Sequence, residues 1–490
     1  MYLLAIDQGT SSTRAMIYSL DWKVLHISQY PITQYYPQDG YVEHDPEEIW
    51  GKTLAAIQDV VSQVDKTKII ACGLTNQRET TLLWDKQTGQ CLAPAIVWQD
   101  RRTQDFCQQL SPHAEMIHAK TGLFPDAYFS ASKLNWLLNH VPNARALAAT
   151  NRLAFGTVDS FLLWRLTGGK KHATDVTNAS RTLLFNIFSQ TWDPELLSLF
   201  DIPENILPDV YASDAHFADI DATWLGVSIP ITGIVGDQQA AMIGQGCTNA
   251  GMIKATYGTG GFLLLNTGTQ PILSKHKLLT TIAYRVQGTT TYGLEGSIYD
   301  AGSTLKWLRD ELHLLSNTSE SEALARSIPS NEGVYLIPSF SGLGAPYWFT
   351  SSGAAVVGLS RHSRPAHFVR AALESVAYQT NDILNAMRKD SRLEFSILCV
   401  DGGMAANTWL LAFMATLTAI IVQRPENIEA STLGAARLAA LGCGAIHSLI
   451  DTQQASPLRK EFEPDKSCIL IHSNYQAWLE IIQNFTKSST

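Results

Sequence analysis

Apolar and polar positions change period repeatedly along the chain, and those changes mark its elements. Tyr2 to Ile6, Thr13 to Tyr18 and Val24 to Gln34 read as three strands separated by short polar turns, the first turn rich in Gly, Ser and Thr. Turns this short imply an antiparallel meander. At Asp45-Pro46-Glu47-Glu48 the period becomes helical. An acidic N-cap precedes proline at the first helical position, and Ile49, Trp50, Leu54, Ile57, Val61 and Val64 follow on one face. Ile69 to Leu74 returns to strand, and Thr80 to Trp84 and Leu92 to Trp98 flank a hairpin-like turn from Asp85 to Gly89. Strands alternating with helices imply an α/β fold.

Ala131 to about Phe200 reads as mainly helical, with a second helix start at Asp193-Pro194-Glu195, and Asp201 to Ser228 as a connecting region. Ile229 to Val235 is strand-like and runs into a helix start at Gln238-Gln239-Ala240-Ala241. Gly244 to Gly251 is dense in glycine, and after it the opening layout restarts. Met252 to Tyr257 is strand-like, Gly258 to Gly261 is a tight turn, and Phe262 to Asn266 is strand-like again. Phe395 to Val400 then leads into Asp401-Gly402-Gly403, followed by helices at Ala406 to Leu417 and Ser431 to Leu441. From about Ser448 the chain is more polar and reads as an appended tail with one helix near Tyr475 to Phe485.

Composition narrows the possibilities. With 490 residues, 45% hydrophobic and 17% charged, the chain is long enough for two or three domains and too mixed for disorder. Its net charge of −9 comes without any clustered Lys/Arg block, which argues against nucleic-acid or anionic-membrane partners. Seven scattered cysteines without a CxxC pair fit neither a disulfide framework nor a zinc site. No basic n-region precedes the first strand, and the longest apolar stretch, Leu410 to Val422, is too short to span a bilayer. A cytoplasmic protein is expected.

The candidate chemistry lies at three glycine corners: Asp7-Gln8-Gly9-Thr10, Gly258-Thr259-Gly260 and Asp401-Gly402-Gly403. Glycine at a strand–turn–strand corner lets backbone N–H groups converge on an anion, and the hydroxyls of Thr10, Ser11, Ser12 and Thr259 add donors. Taken singly, each corner also fits a plain hairpin turn. Neither a G-x-x-x-x-G-K-[ST] loop nor a Rossmann glycine triplet is present. Asp7 at the mouth of a phosphate turn makes chemical sense if a magnesium ion sits between carboxylate and phosphate; a turn-capping role is the alternative.

The three corners in this order, on a duplicated α/β layout, resemble the actin-like ATPase superfamily. Within it, nearly the whole chain to about residue 445 resembles the FGGY carbohydrate kinases, in particular members that phosphorylate glycerol. The resemblance is carried by Asp7 to Thr10 with Arg14, Gly40 to Pro46, Thr75 to Thr81, Ala95 to Arg102, Thr174 to Thr182, Gly236 to Gln239, Thr256 to Gly260 and Gly342 to Trp348. Asn76-Gln77-Arg78-Glu79-Thr80 with Trp98 is the specific signal.

The resemblance implies two actin-like (ribonuclease H-like) domains with a catalytic cleft between them. Residues 1–246 would be the N-terminal domain, 252–445 the C-terminal domain and 446–490 a C-terminal extension. It implies ATP and Mg²⁺ as cofactors, glycerol as acceptor, and a homo-oligomer. Asp237 would be the general base, and Arg78, Glu79, Trp98, Tyr128, Asp237, Gln238 and Phe262 would hold glycerol. Thr10, Ser11, Ser12, Arg14, Thr259, Gly260, Gly302, Gly403 and Asn407 would hold the nucleotide, with Asp7 and Asp237 at the metal. Lys306 departs from the family pattern, where glutamine is common. Kinases of another polyol or pentulose, and a chaperone- or actin-like ATPase, are the competing readings.

Overall fold

Leu3, Leu4, Ala5 and Ile6 are all fully buried, an apolar run without alternation, as a strand covered on both faces requires. In the computed structural model, which describes residues 1–349, 353–395, 397–425, 429–450 and 459–487, this strand spans Tyr2–Gln8. It pairs antiparallel with Ser12–Ser19, which pairs antiparallel with Val24–Pro31, so the expected meander is present. The third strand stops at Pro31 rather than Gln34; Pro31 itself has no N–H to donate. On the other side, Ile69–Asn76 and then Ile229–Gly236 add in parallel, and Ala218–Ile220 closes the six-stranded sheet as an antiparallel edge. The region read as connecting therefore supplies an edge strand.

Helix Pro46–Ser62 begins as expected, with the Asp45 side chain accepting from the Glu47 amide. It covers one face of this sheet, where Ile49 and Ile57 pack with Leu4, Ile6 and Phe161. The opposite face is covered from the far end of the chain. Helix Ala430–Gly442 lays Ala435, Ala436, Ala439 and Ala440 against Leu3 and Ala5. The approach is close: a Cβ on Gly73 would sit 2.1 Å from the Ala435 carbonyl oxygen.

The second sheet repeats the plan with seven strands, in the spatial order Leu279–Val286, Thr289–Ile298, Gly261–Gly268, Ile253–Tyr257, Ile397–Asp401, Ile421–Pro425 and Arg459–Phe462. Ile253–Tyr257 and Gly261–Gly268 form the antiparallel pair that restarts the layout, and Ile397–Asp401 adds in parallel. Residue 396, inside the strand expected at Phe395 to Val400, lies outside the described residues, as do 451–458 and 488–490 of the tail. What is described of that tail is built into the second lobe. Arg459–Phe462 is an antiparallel edge strand, and helix Ile469–Lys487 buries Tyr475, Trp478 and Ile482 in the core.

Three expectations need correction. The arms around Asp85 to Gly89 meet only at isolated bridges; Leu82–Asp85 takes its ladder from Leu153–Gly156 and Ala95–Ile96 from Glu43–His44. Leu153–Gly156 and Ala173–Asp175 are strands within the stretch read as helical; the first is a buried apolar run short enough to take whichever partner the tertiary fold offers. The helix expected from Ala406 runs Thr408–Thr418, preceded by a 3₁₀ turn at Gly403–Ala406 and capped by Asn407.

Candidate active site

The carboxyl ends of the parallel strands carry the chemistry in both lobes, the position where open α/β sheets place their ligands. Asp7 ends Tyr2–Gln8 beside Thr75, Arg78 follows Ile69–Asn76, and Asp237 follows Ile229–Gly236. In the second lobe Thr256 is in register with Asp401, so the corners Gly258–Gly260 and Asp401–Gly403 lie side by side.

Arg78, Glu79 and Thr80 form a tight turn, with the Thr80 amide donating to the Arg78 carbonyl at 2.7 Å and Glu79 held at a φ of 61°. That left-handed conformation is costly for a glutamate and is paid for by the surroundings. The hydroxyls of Ser130 and Thr81 both donate to the Glu79 carbonyl, at 3.0 and 2.9 Å. Gly236 makes room for the arginine stem, since a Cβ there would sit 2.8 Å from its Cγ and Cδ.

Arg78 is 3% exposed and almost fully engaged. Its Nη1 donates to Glu295 Oε2 at 2.6 Å and Gln239 Oε1 at 3.2 Å, its Nη2 donates to Glu295 Oε1 at 3.1 Å, and Nε stands 3.4 Å from Asp237 Oδ1. A guanidinium has five N–H donors; three are hydrogen-bonded and Nε faces Asp237, which leaves one on Nη2 for a ligand. Glu79 uses Oε1 to accept from Arg181 Nε at 2.6 Å, and its Oε2 has no hydrogen-bond partner among the described residues. The neighbouring pair thus presents one donor and one acceptor, the alternation that a vicinal diol needs. Burial pushes the Glu79 carboxyl upward, against the pull of Arg181 and Arg78.

Aromatic rings wall this corner. Trp98 packs edge-to-face on Tyr128 and Phe262, with centroids 5.7 and 6.1 Å away, and donates from Nε1 to Thr10 Oγ1 at 2.9 Å. One indole therefore touches both the polar pair's surroundings and the first glycine corner. The Arg181 guanidinium lies over the Tyr128 and Phe129 rings at 5.4 and 5.3 Å.

Asp237 opens helix Asp237–Gly244 without being its N-cap; Gly236 holds that position, and Asp237 Oδ1 accepts from the Gln238 amide at 2.7 Å. Burial raises its pKa, Arg78 opposes the rise, and Asp7 adds to it by like-charge repulsion. The Asp7 carboxyl is raised by burial too, against a 2.7 Å hydrogen bond from Ser431 Oγ and the charge of Arg14. Gln238 is already committed, its carboxamide oxygen accepting from Lys254 Nζ. Burial lowers the Lys254 pKa to about 8, although Asp401 and Asp237 pull it upward.

The residues expected at the nucleotide fall into two groups. Thr10, Ser11 and Ser12 line the first corner, where the Gly9 amide donates to the Ser12 carbonyl at 2.9 Å, and Arg14 is ion-paired with Glu429. Thr259 and Gly260 form the second corner, and Gly302 packs on it so tightly that a Cβ would lie 2.4 Å from the Gly258 carbonyl. Open space surrounds Gly403, whereas Asn407 has structural duties, its Oδ1 accepting from the Leu410 amide and its Nδ2 donating to Ser321. Lys306 is exposed on helix Gly302–Asp310.

No group of three or more His, Cys, Asp or Glu side chains among the described residues is arranged to hold a metal by itself. Two mutually repelling carboxylates, Asp7 and Asp237, suit magnesium, which takes one or two carboxylates and completes its shell with water and phosphate oxygens.

Glu295, Arg181 and Lys254 were not singled out from sequence. Arg181 lies inside Thr174 to Thr182, whereas Glu295, among the threonines and glycines around Leu294, carries no local signal of its pairing.

Comparison with known proteins agrees with this layout. The description "FGGY family of carbohydrate kinases, N-terminal domain" matches residues 2–244, and the corresponding C-terminal domain matches residues 253–443. The chain is 50% identical over 487 residues to a glycerol kinase of Coxiella burnetii strain RSA 493, covering 98% of this chain and 97% of that protein. It is also 50% identical to a glycerol kinase of Ectopseudomonas mendocina, covering 98% of each. Among solved structures, Plasmodium falciparum glycerol kinase with ADP superposes with a TM-score of 0.92 at 33% identity, covering 99% of this chain and 98% of that one. Gluconate kinase of Lactobacillus acidophilus, at 21% identity and a TM-score of 0.90 over 99% and 98% of the two chains, shares the fold.

Proposed function

The chain belongs to the FGGY family of carbohydrate kinases, and we propose that it is a glycerol kinase, moving the γ-phosphoryl group of ATP to a terminal hydroxyl of glycerol to give sn-glycerol 3-phosphate and ADP. The observation that carries the reading is the Arg78–Glu79 corner, with one N–H and one carboxylate oxygen left over, walled by Trp98, Tyr128 and Phe262 beside Asp237. Glycerol offers alternating hydroxyls and a short CH face, and the site offers matching partners for both. The names of the relatives at 50% identity support the same acceptor.

Asp237 then takes the proton of the attacking hydroxyl as the oxygen–phosphorus bond forms and the bond to the β-phosphate oxygen breaks. In a loose phosphoryl-transfer transition state the alcohol needs little activation, so alignment and charge neutralisation supply most of the rate. Thr10, Ser11, Ser12 and Arg14 hold phosphates from the first lobe, with Thr259 and Gly260 from the second and Gly302, Gly403 and Asn407 around the nucleoside. Asp7 and Asp237 would hold Mg²⁺, and the ion would supply charge neutralisation at the phosphates. Water is the competing acceptor, and the apolar wall formed by Trp98, Tyr128 and Phe262 reduces its access.

No helix among the described residues is long and apolar enough to cross a membrane. All seven cysteines are free thiols, which suits the reducing, ATP-supplied cytoplasm to which the reading assigns the protein. The test is ADP formation by purified protein with ATP and Mg²⁺, with and without glycerol. The reading expects glycerol to be required and one glycerol 3-phosphate to form per ADP; equal ADP formation without glycerol overturns it.

A further inference from the structure

We infer that Glu295, on the strand next to the edge of the second lobe's sheet, is a positioning residue for the acceptor site: it fixes Arg78 and Arg181 of the first lobe so that the Arg78–Glu79 corner keeps one donor and one acceptor for substrate. The inference deepens the glycerol kinase reading and rests on it for the identity of the acceptor.

Both carboxylate oxygens are spent on arginines. Oε2 accepts from Arg78 Nη1 at 2.6 Å, and Oε1 accepts from Arg78 Nη2 at 3.1 Å and from Arg181 Nη2 at 2.9 Å. Arg181 passes the constraint on by donating from Nε to Glu79 Oε1. The four side chains thus form a ring, Arg78–Glu295–Arg181–Glu79, closed by the 3.9 Å ion-pair contact of Arg78 Nε with Glu79 Oε1, in which no residue is more than 3% exposed. Glu295 itself is fully buried and has no oxygen left for substrate, so its effect is exerted through the arginines.

The strand does not need this charge. Leu294 beside it is fully buried in the core, and a buried ion pair generally costs as much as it returns compared with apolar packing. What the carboxylate supplies is orientation. A two-point fork holds the guanidinium plane, and without it the nearest remaining anion to Arg78 is Asp237, whose Oδ1 is 3.4 Å from Nε. A released Arg78 would turn onto the base and away from the acceptor. Burial works against ionisation of Glu295, yet Arg181 and Arg78 hold its pKa at about 2, so the anchor stays charged at any working pH.

The experiment compares wild type, Glu295→Gln and Glu295→Asp with glycerol, or with whichever acceptor the wild type phosphorylates. A wild type that ignores glycerol but uses another polyol or sugar overturns the acceptor assignment alone. For Glu295→Gln the inference expects the KM for acceptor to rise roughly tenfold to a hundredfold, as for lost hydrogen bonds to charged groups, with the KM for ATP unchanged. Glu295→Asp, which retains the charge on a shorter stem, should recover part of the acceptor KM. An acceptor KM within twofold of wild type in Glu295→Gln overturns the inference, as does an equal rise in both KM values. Should the glutamine variant not fold, an acceptor KM in Glu295→Asp identical to wild type overturns it equally.

Discussion

Asp237 Oδ1 stands 3.4 Å from Arg78 Nε, so the proposed base and the proposed hydroxyl donor share one buried corner and one electrostatic balance. The same oxygen accepts the Gln238 amide, which orients the carboxylate toward the cleft. Asp237→Asn keeps the size and the amide contact while removing the negative charge. Turnover is expected to fall by a factor of ~10² to 10⁴, with ATP binding retained in equilibrium titration. Near-full activity in this variant would remove Asp237 from the catalytic role.

The pH dependence follows from two shifts of opposite sign. Burial raises Asp237 above the ordinary aspartate value of 3.8, so turnover should climb with pH through an acid limb above that value as the base loses its proton. Burial brings Lys254 down to about 8, so a fall in turnover is expected near pH 8, where loss of its proton weakens the hold on Gln238. Lys254→Arg stays protonated and should move the alkaline limb upward. A pH–rate profile of the two proteins with saturating substrates checks both limbs.

Asp382 ties the C-terminal helix to the second lobe. It accepts from Tyr475 Oη at 2.5 Å, Tyr347 Oη at 2.8 Å and Trp478 Nε1 at 3.0 Å. Burial raises its pKa to about 6 against those three donors. The folded state therefore holds a proton that the unfolded chain has released between pH 3.8 and about 6. This stabilisation is complete below pH 3.8 and lost as pH rises through 6. Asp382→Asn cannot titrate, so the difference in unfolding free energy between variant and wild type should change by on the order of 2 to 3 kcal/mol across that window. Denaturant unfolding at pH 4 and pH 7 measures it; a pH-independent difference contradicts the assignment.

Two helices from opposite halves cross at glycines. A Cβ on Gly434 would lie 1.8 Å from the Ala240 carbonyl oxygen, and one on Gly244 would lie 1.9 Å from that of Ala430. Backbone cannot yield as a flexible side chain can, so Gly434→Ala must separate Asp237–Gly244 from Ala430–Gly442. A loss of ~1 to 3 kcal/mol is expected from overpacking. Turnover should fall as well, because Ser431 rides on the displaced helix and holds Asp7. Thermal unfolding and kcat, measured together, check the coupling.

What was legible in the sequence was local. Asp7 with its glycine and hydroxyls, the Arg78–Glu79 pair and Asp237 each stand where an apolar strand ends in a short turn, and such corners announce themselves within ten residues. Glu295 is 217 positions from Arg78 and Arg181 is 102 from Glu79, so their pairing exists only once the lobes are assembled. Thr289–Ile298 carries threonines and glycines that look like loop; its glycines are there because Leu265 and Ile383 leave no space for a Cβ at Gly293 and Gly296. The 27-residue helix Pro365–Ser391 is absent from the sequence reading, because burial on nearly every face blurs the one-sided period that marks a surface helix. The tail misled through its polarity, since a few residues, Tyr475, Trp478 and Ile482, carry its packing.

The most direct measurement follows the γ-phosphoryl group itself. ATP labelled there is offered with Mg²⁺ to the purified protein in an equimolar mixture of glycerol, gluconate and xylulose, and the products are separated. The account predicts label in glycerol 3-phosphate, in step with ADP, and its loss in Asp237→Asn. Label accumulating in a sugar phosphate, or as inorganic phosphate whether or not glycerol is present, would contradict it.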